Sequence, residues 1–189
     1  MIITIGREYG SGGHAIGQKL AEKLGINFYD KNLIALTAQK SGLCEDVLKE
    51  SDERAPGLIM TPYTGSVADQ LYNAQISVIK SLADSEDCVI VGRCANYILA
   101  EYAKTLDVFI YAPSEDRVKR IAKDYLLVSE DAARKEMKKI DKARRSYYQF
   151  YSDYQWGQRE GIDLMINSSL YGIDGTADVL ADLAKKYFA

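Results

Sequence analysis

Histidine is almost missing from this chain: His14 is the single one among 189 residues. With only three cysteines, Cys44, Cys88 and Cys94, none at metal-ligand spacing, a typical zinc centre is excluded. Thiols this few and scattered make no disulfide framework and read as reduced, as in the cytoplasm. No apolar run approaches the roughly 20 residues that span a bilayer, and no secretory leader pattern opens the sequence. The expected location is therefore cytoplasmic, with no membrane partner. Basic residues are not in excess either, since 24 Lys and Arg face 27 Asp and Glu for a formal charge of -3. Binding to duplex nucleic acid usually comes with a strongly basic balance, so no nucleic-acid partner is expected.

What remains is the composition of one ordinary globular domain. Hydrophobic residues make up 47% of the chain, enough for a single core at this length. Short apolar runs alternate with helical periods. Ile2 to Ile5, Asn27 to Asp30, Cys88 to Val91, Leu106 to Tyr111 and Leu164 to Ile166 read as strands. Helices are predicted after Gly13 as far as Leu24, then over Lys31 to Ser41, Glu45 to Arg54, Val67 to Ala83 and Ala95 to Glu101. Three more follow at Glu115 to Tyr125, Asp131 to about Tyr154, and Thr176 to Tyr187. Ala55 to Tyr63, with two prolines and a glycine, reads as a loop. Alternating strands and helices imply an α/β fold in three layers, a parallel sheet covered on both faces with right-handed crossovers.

The first unit carries the chemistry. A strand ends at Gly6, the polar stretch Arg7 to Gly13 follows, and a helix opens near His14. A turn so placed aims several backbone N–H groups at one spot, where the helix dipole adds partial positive charge. Phosphate is the expected guest. Gly10, Gly12 and Gly13 suit a backbone that wraps an anion, because such a path needs positive φ and no side chain in the way. The predicted binding segment is Arg7, Gly10, Ser11, Gly12, Gly13, His14 and Ala15. The full pattern G-x-x-x-x-G-K-[ST] is not met, because Gly13 stands at the lysine position and His14 and Ala15 follow. The loop therefore lacks the lysine charge for the β/γ-phosphates and the hydroxyl that would ligate Mg2+. Arg7, His14 or Arg93 are the candidates to supply that charge.

The segment Ile5-Gly-Arg-Glu-Tyr-Gly-Ser-Gly-Gly-His14, followed by Leu24-Gly-Ile-Asn-Phe-Tyr-Asp-Lys31, resembles the cytidylate kinase-like family. The likeness continues in order through Val89-Ile-Val-Gly-Arg-Cys-Ala-Asn96, Phe109-Ile-Tyr-Ala-Pro113, Asp141-Lys-Ala-Arg144, Ser146-Tyr-Tyr148 and Ile166-Asn-Ser-Ser169. The resemblance implies a P-loop nucleoside monophosphate kinase fold: a five-stranded parallel sheet, a mobile acceptor-binding region at about 30–85, and a helical lid at about 125–158. It also implies ATP and Mg2+ as donor and metal, and a small-molecule nucleotide as partner. Residues Gly10 to His14 would hold the donor phosphates, and Asp30, Lys31 and Arg93 would face the acceptor. Asp141, Arg144 and Arg145 would belong to the lid and, with Arg93, form the catalytic set that moves a phosphoryl group from ATP to a nucleoside monophosphate or a similar small acceptor. Guanidinium groups suit transferring phosphoryl, whose charge spreads over several oxygens.

Three positions depart from true cytidylate kinases: Gly13 for the lysine, Val91 for an aspartate before Gly92-Arg93, and Leu36 for an acceptor-side arginine. They put cytidylate specificity and metal use in doubt, and a nucleotide-binding sensor without turnover is the second reading. A third, a dinucleotide-binding oxidoreductase, matches Gly10-Ser-Gly-Gly-His-Ala15 to G-x-G-x-x-A, although four residues, Gly6 to Tyr9, make the loop long for that turn. The aromatic residues from Tyr147 to Trp156 are expected to pack a lid helix rather than stack a base. An exposed helical face leaves a homodimer open.

Overall fold

The computed structural model describes residues 1–30, 32, 33, 36, 67–124 and 129–189. The predicted helices at 31–41 and 45–54, the loop at 55–63, the candidate Lys31, and Cys44 fall outside those residues, apart from the three single positions. Chain order runs β1 (Ile2–Arg7), α1 (Gly13–Leu24), β2 (Asn27–Tyr29), α2 (Val67–Ser85), β3 (Cys88–Val91) and α3 (Ala95–Ile98). It continues with β4 (Thr105–Tyr111), α4 (Ser114–Asp124), α5 (Glu130–Tyr151), β5 (Leu164–Asn167) and α6 (Ser168–Phe188).

The five strands form one sheet in the order β2-β3-β1-β4-β5, every pair parallel. Ile5 sits between Val91 of β3 and Val108 of β4. β3 therefore lies between β1 and β2, whereas a dinucleotide-binding sheet sets β2 beside β1. That order removes the oxidoreductase reading.

Both sheet faces are covered, as continuous β-branched strands require. Ile3, Ile5, Val89, Val91, Val108 and Ile110 lean on Ile16 and Leu20 of α1 and on Leu180 and Ala184 of α6. Ile2, Cys88 and Ile90 pack on the other side against Val78 and Ile79 of α2 and Ile98 of α3. Alternation places Thr4, Gly6, Asp107 and Phe109 on this second face, where β1 and β4 run under α5. Aliphatic filling stops there, and a cavity takes its place.

Three predicted boundaries move. α6 begins at Ser168, well before Thr176, because Asn167 caps it by accepting from the Ser169 amide at 3.0 Å. Gly172 then breaks its regularity at φ 68°, ψ -175°, which hid the first turn from the sequence. α5 stops at Tyr151, where Ser152 turns extended, and α3 spans only Ala95–Ile98. The predicted lid region is thus mainly one long helix and the coil after it, with residues 125–128 outside the description. Among the described residues no helix is long and apolar enough to cross a membrane.

Candidate nucleotide-binding site

The loop between β1 and α1 is held from behind and open in front. Glu8 N–H donates to the Ile110 carbonyl at 3.0 Å, which fastens the loop's start to β4. Ser11 folds inward: its amide and its hydroxyl both donate to the Glu8 carbonyl, at 3.2 and 2.8 Å. Ser168 Oγ then donates to the Ser11 carbonyl at 2.6 Å, pinning the loop to the start of α6. Ser11 was expected among the phosphate donors, but both of its donors are already taken. Gly10 and Gly12 adopt φ 79° and 81°, a path that L side chains resist. The first intrahelical bond is Ile16 N–H to Gly12 at 2.9 Å. Among the described residues no acceptor meets the amides of Gly12, Gly13, His14 and Ala15, and no side chain caps the helix. Four unpaired N–H groups at a helix start are an anion site.

A buried charged cluster braces this loop. Asp141 of α5 accepts from the Tyr9 amide at 2.7 Å and pairs with Arg117 Nη1 of α4 at 2.5 Å. Arg117 also donates to the Tyr9 carbonyl at 3.2 Å and sets Nε 3.3 Å from Glu8, at ion-pair distance without hydrogen-bond alignment. Burial pushes the Glu8 carboxyl up, offset in part by the Ala112 amide and Arg117. Asp141, expected in the catalytic set, thus has its two oxygens engaged behind the loop, the position of a brace. One helical turn beyond Arg117, Arg120 donates through Nη1 to the Gly10 carbonyl at 2.5 Å. Sequence reasoning missed Glu8, Arg117 and Arg120. Glu8 was the available signal, since an acid inside a phosphate loop must turn away and find a cation.

Of the residues expected to face the acceptor, Asp30 meets two residues of the predicted phosphate-binding segment. His14 Nε2 lies 3.0 Å from Asp30 at the end of β2, and Arg7 Nη2 lies 3.9 Å from the same carboxylate. The His14 ring is thereby directed to Asp30, leaving its backbone amide for the loop. Gly92, Arg93 and Cys94 follow β3 with φ 86°, 60° and 55°. Two consecutive non-glycine residues in the left-handed region are strained, and such strain concentrates at functional sites. The turn needs Gly92 for its φ of 86°, and a Cβ there would also displace the tip of Arg7, whose Nη1 would lie 2.3 Å away. Arg144 Nη1 donates to the Arg7 carbonyl at 3.4 Å, and its guanidinium lies 5.6 Å from the Tyr9 ring centroid. Arg145 instead rests 5.5 Å from the Trp156 ring centroid. Arg7, Arg93 and Arg144 together line the mouth of the cavity on the second sheet face. Tyr147 and Tyr148 are buried in an aromatic cluster with Cys94, and Tyr151, Tyr154 and Trp156 pack against it, whereas Phe150, also expected to pack, is exposed.

The described residues do not suit a protein-held divalent cation. Neither Ser nor Thr follows Gly13, Val91 ends β3, and no three His, Cys, Asp or Glu side chains converge among the described residues.

Comparison with known proteins agrees with this architecture. The description of the cytidylate kinase-like family matches residues 2–170. An uncharacterized protein from Eubacterium ventriosum superposes with a TM-score of 0.71 at 30% identity, covering 99% of this chain and 97% of its own. Shikimate kinase from Acinetobacter baumannii, in complex with shikimate, gives 0.56 at 18% identity, with 98% and 92% covered. A gluconokinase from Sinorhizobium meliloti gives 0.56 at 16% identity, with 98% and 94% covered. At those identities the two kinases share the fold alone. No curated protein matches the sequence. With nearly nine-tenths of its length matched and its sheet, loop and strand order in accord, the chain belongs to the cytidylate kinase-like family.

Proposed function

We propose that the protein transfers the γ-phosphoryl group of ATP to a nucleoside monophosphate or a similar small phosphorylated acceptor. The observation that carries this reading is the set of unpaired amides from Gly12 to Ala15, with Arg144 spanning the gap between their loop and the cavity. The amides would hold donor phosphate oxygens, and Arg120 at the loop's rim would add the charge that the missing lysine leaves out. Arg93 and Arg144 would align the acceptor and spread the charge of the transferring group, work that planar guanidinium forks do better than ammonium groups. Asp30 would orient Arg7 and His14 rather than touch phosphate, since a carboxylate repels it. Asp141 would act through the loop it braces. Magnesium, where used, would arrive bound to nucleotide oxygens, because the described residues offer it no ligand set.

A coupled assay of ADP release with ATP and a panel of nucleoside monophosphates tests this. Release above background with at least one acceptor is expected, falling 100-fold or more in Arg93→Ala, on the order of 3 kcal/mol of transition-state stabilisation. No release with any acceptor refutes the transferase reading. The absent lysine, hydroxyl and aspartate favour a second reading, a nucleotide sensor without turnover. Calorimetry separates them: a working transferase binds ATP more tightly with magnesium, whereas a sensor binds tightly and releases no ADP.

A further inference from the structure

Val179, Leu183 and Tyr187 recur every fourth residue along α6 and keep 40%, 36% and 42% of their surface exposed. At about 3.6 residues per turn they form one apolar stripe. The stripe faces away from α1, because Lys19 and Lys23 of α1 hold Asp174 and Asp178 at 2.6 and 2.7 Å, and those aspartates lie roughly 140 to 180° round the helix from Leu183. Leu180, Ala181 and Ala184, between the two directions, point down to the sheet. Since α1 packs on β1 and β3 while α6 packs on β4 and β5, the side away from α1 is the open edge of the sheet. β5 ends that sheet, and among the described residues it pairs with β4 alone. Its outer row of N–H and C=O groups thus has no strand partner, and Leu164-Met-Ile-Asn167 contains neither the charge nor the proline that usually guards an edge.

The charges beside the stripe indicate what covers it. Asp182 and Lys186 flank it on the solvent side, one turn apart, and among the described residues neither has an ion-pair partner. Two copies of α6 set antiparallel by a twofold axis at Leu183 bring Val179 of each onto Tyr187 of the other. In that same register each Asp182 comes beside the second copy's Lys186, offset by roughly 3 Å along the helix. Apolar and charged groups are therefore both complementary to themselves under one symmetry operation, the mark of an isologous contact. The strand edge obeys the same axis. A twofold normal to the sheet sets two β5 edges antiparallel at about 4.8 Å, and with α6 seated over β4 and β5 it leaves the two helices about 10 Å apart, a packing distance. We infer that a second copy of this chain docks on this flank, α6 against α6 and β5 beside β5, so that the two sheets run on as one. The stripe lies in the C-terminal half of α6, away from Ser168 and the loop it pins, so the inference stands apart from the proposed reaction.

Analytical ultracentrifugation of the native protein between about 1 and 100 µM should show a monomer–dimer equilibrium or a stable dimer. Leu183→Glu sets two carboxylates together at the centre of the contact, and should leave monomers whose far-ultraviolet circular dichroism spectrum is unchanged. Charge reversal tests the register by a second route, at positions already exposed in the single chain. Asp182→Lys or Lys186→Asp alone sets like charges opposite one another and should weaken the dimer about tenfold. Both together exchange the signs and should bring the dissociation constant back to within about threefold of native. A native protein that stays monomeric through that range, a dimer that survives Leu183→Glu, single reversals without effect, or a double reversal no tighter than the single ones overturns the inference.

Discussion

Replacing Asp107 with asparagine should alter the pH dependence of stability more than the fold itself. Burial pushes this carboxyl from its ordinary 3.8 up to about 6, against the lowering effect of the Thr4 and Thr105 hydroxyls and with a small further push from Asp163. A raised value means that the native state prefers the protonated acid. The associated stability is fully present below the unfolded value, and is lost as pH rises through the native one. At 1.36 kcal/mol per pH unit, the interval corresponds to about 3 kcal/mol, an upper figure because the side chain keeps some water contact. Asparagine has no proton to lose. Urea unfolding of both proteins at pH 4 and pH 7.5 should show the variant gaining on the native chain by about 2 to 3 kcal/mol between the two conditions. A difference that stays flat within about 0.5 kcal/mol would refute the reasoning. A variant that loses ground as pH rises would mean that the carboxylate is stabilised as an anion by the fold.

Other substitutions test the loop and its brace. Arg117→Ala should cost about 3 to 5 kcal/mol, since it leaves the buried Asp141 without its cation, and Asp141→Ala clearly less, since Glu8 still faces Arg117; the double variant should cost clearly less than the sum, read by denaturant melts. Gly12→Ala forces a methyl into φ 81° within 3.2 Å of Ile173. It should lower stability by only about 1 to 2 kcal/mol yet weaken ATP binding tenfold or more by calorimetry. Gly92→Ala would drive a methyl onto Arg7, so it should impair acceptor binding with ATP affinity nearly intact; an equal loss of both would disprove separate sites. Ser168→Ala removes the buried hydroxyl that pins the Ser11 carbonyl, and should cost about 1 kcal/mol while raising the ATP dissociation constant severalfold.

Much of the fold was legible because periodicity is local. The β-branched runs at Ile2, Cys88 and Leu106 could bury both faces only as parallel strands, and the apolar spacing in α1 had one sheet to lean on. The glycine loop was legible for the same reason: Gly10 and Gly12 permit backbone angles that other residues resist. The helix at Ser168 was missed because Gly172 interrupts its period, and the brace was missed because no local pattern joins Glu8, Arg117 and Asp141, which are far apart in the chain. Asp107 looked like one more strand residue. Nothing nearby in sequence says that its neighbours on that face are Thr4 and a cavity.

The amino-acid sequence by itself determined the order of strands and helices, the glycine loop between the first strand and helix, and the lack of a lysine, hydroxyl and aspartate for metal-assisted transfer, since each depends on residue type and near neighbours. Only tertiary structure decided that β3 slots between β1 and β2, that Asp141 braces the loop, and that arginines from three segments share one cavity mouth. Those outcomes depend on strand pairing and on charge burial between segments tens of residues apart, where the balance of desolvation and contact is settled by the assembled fold.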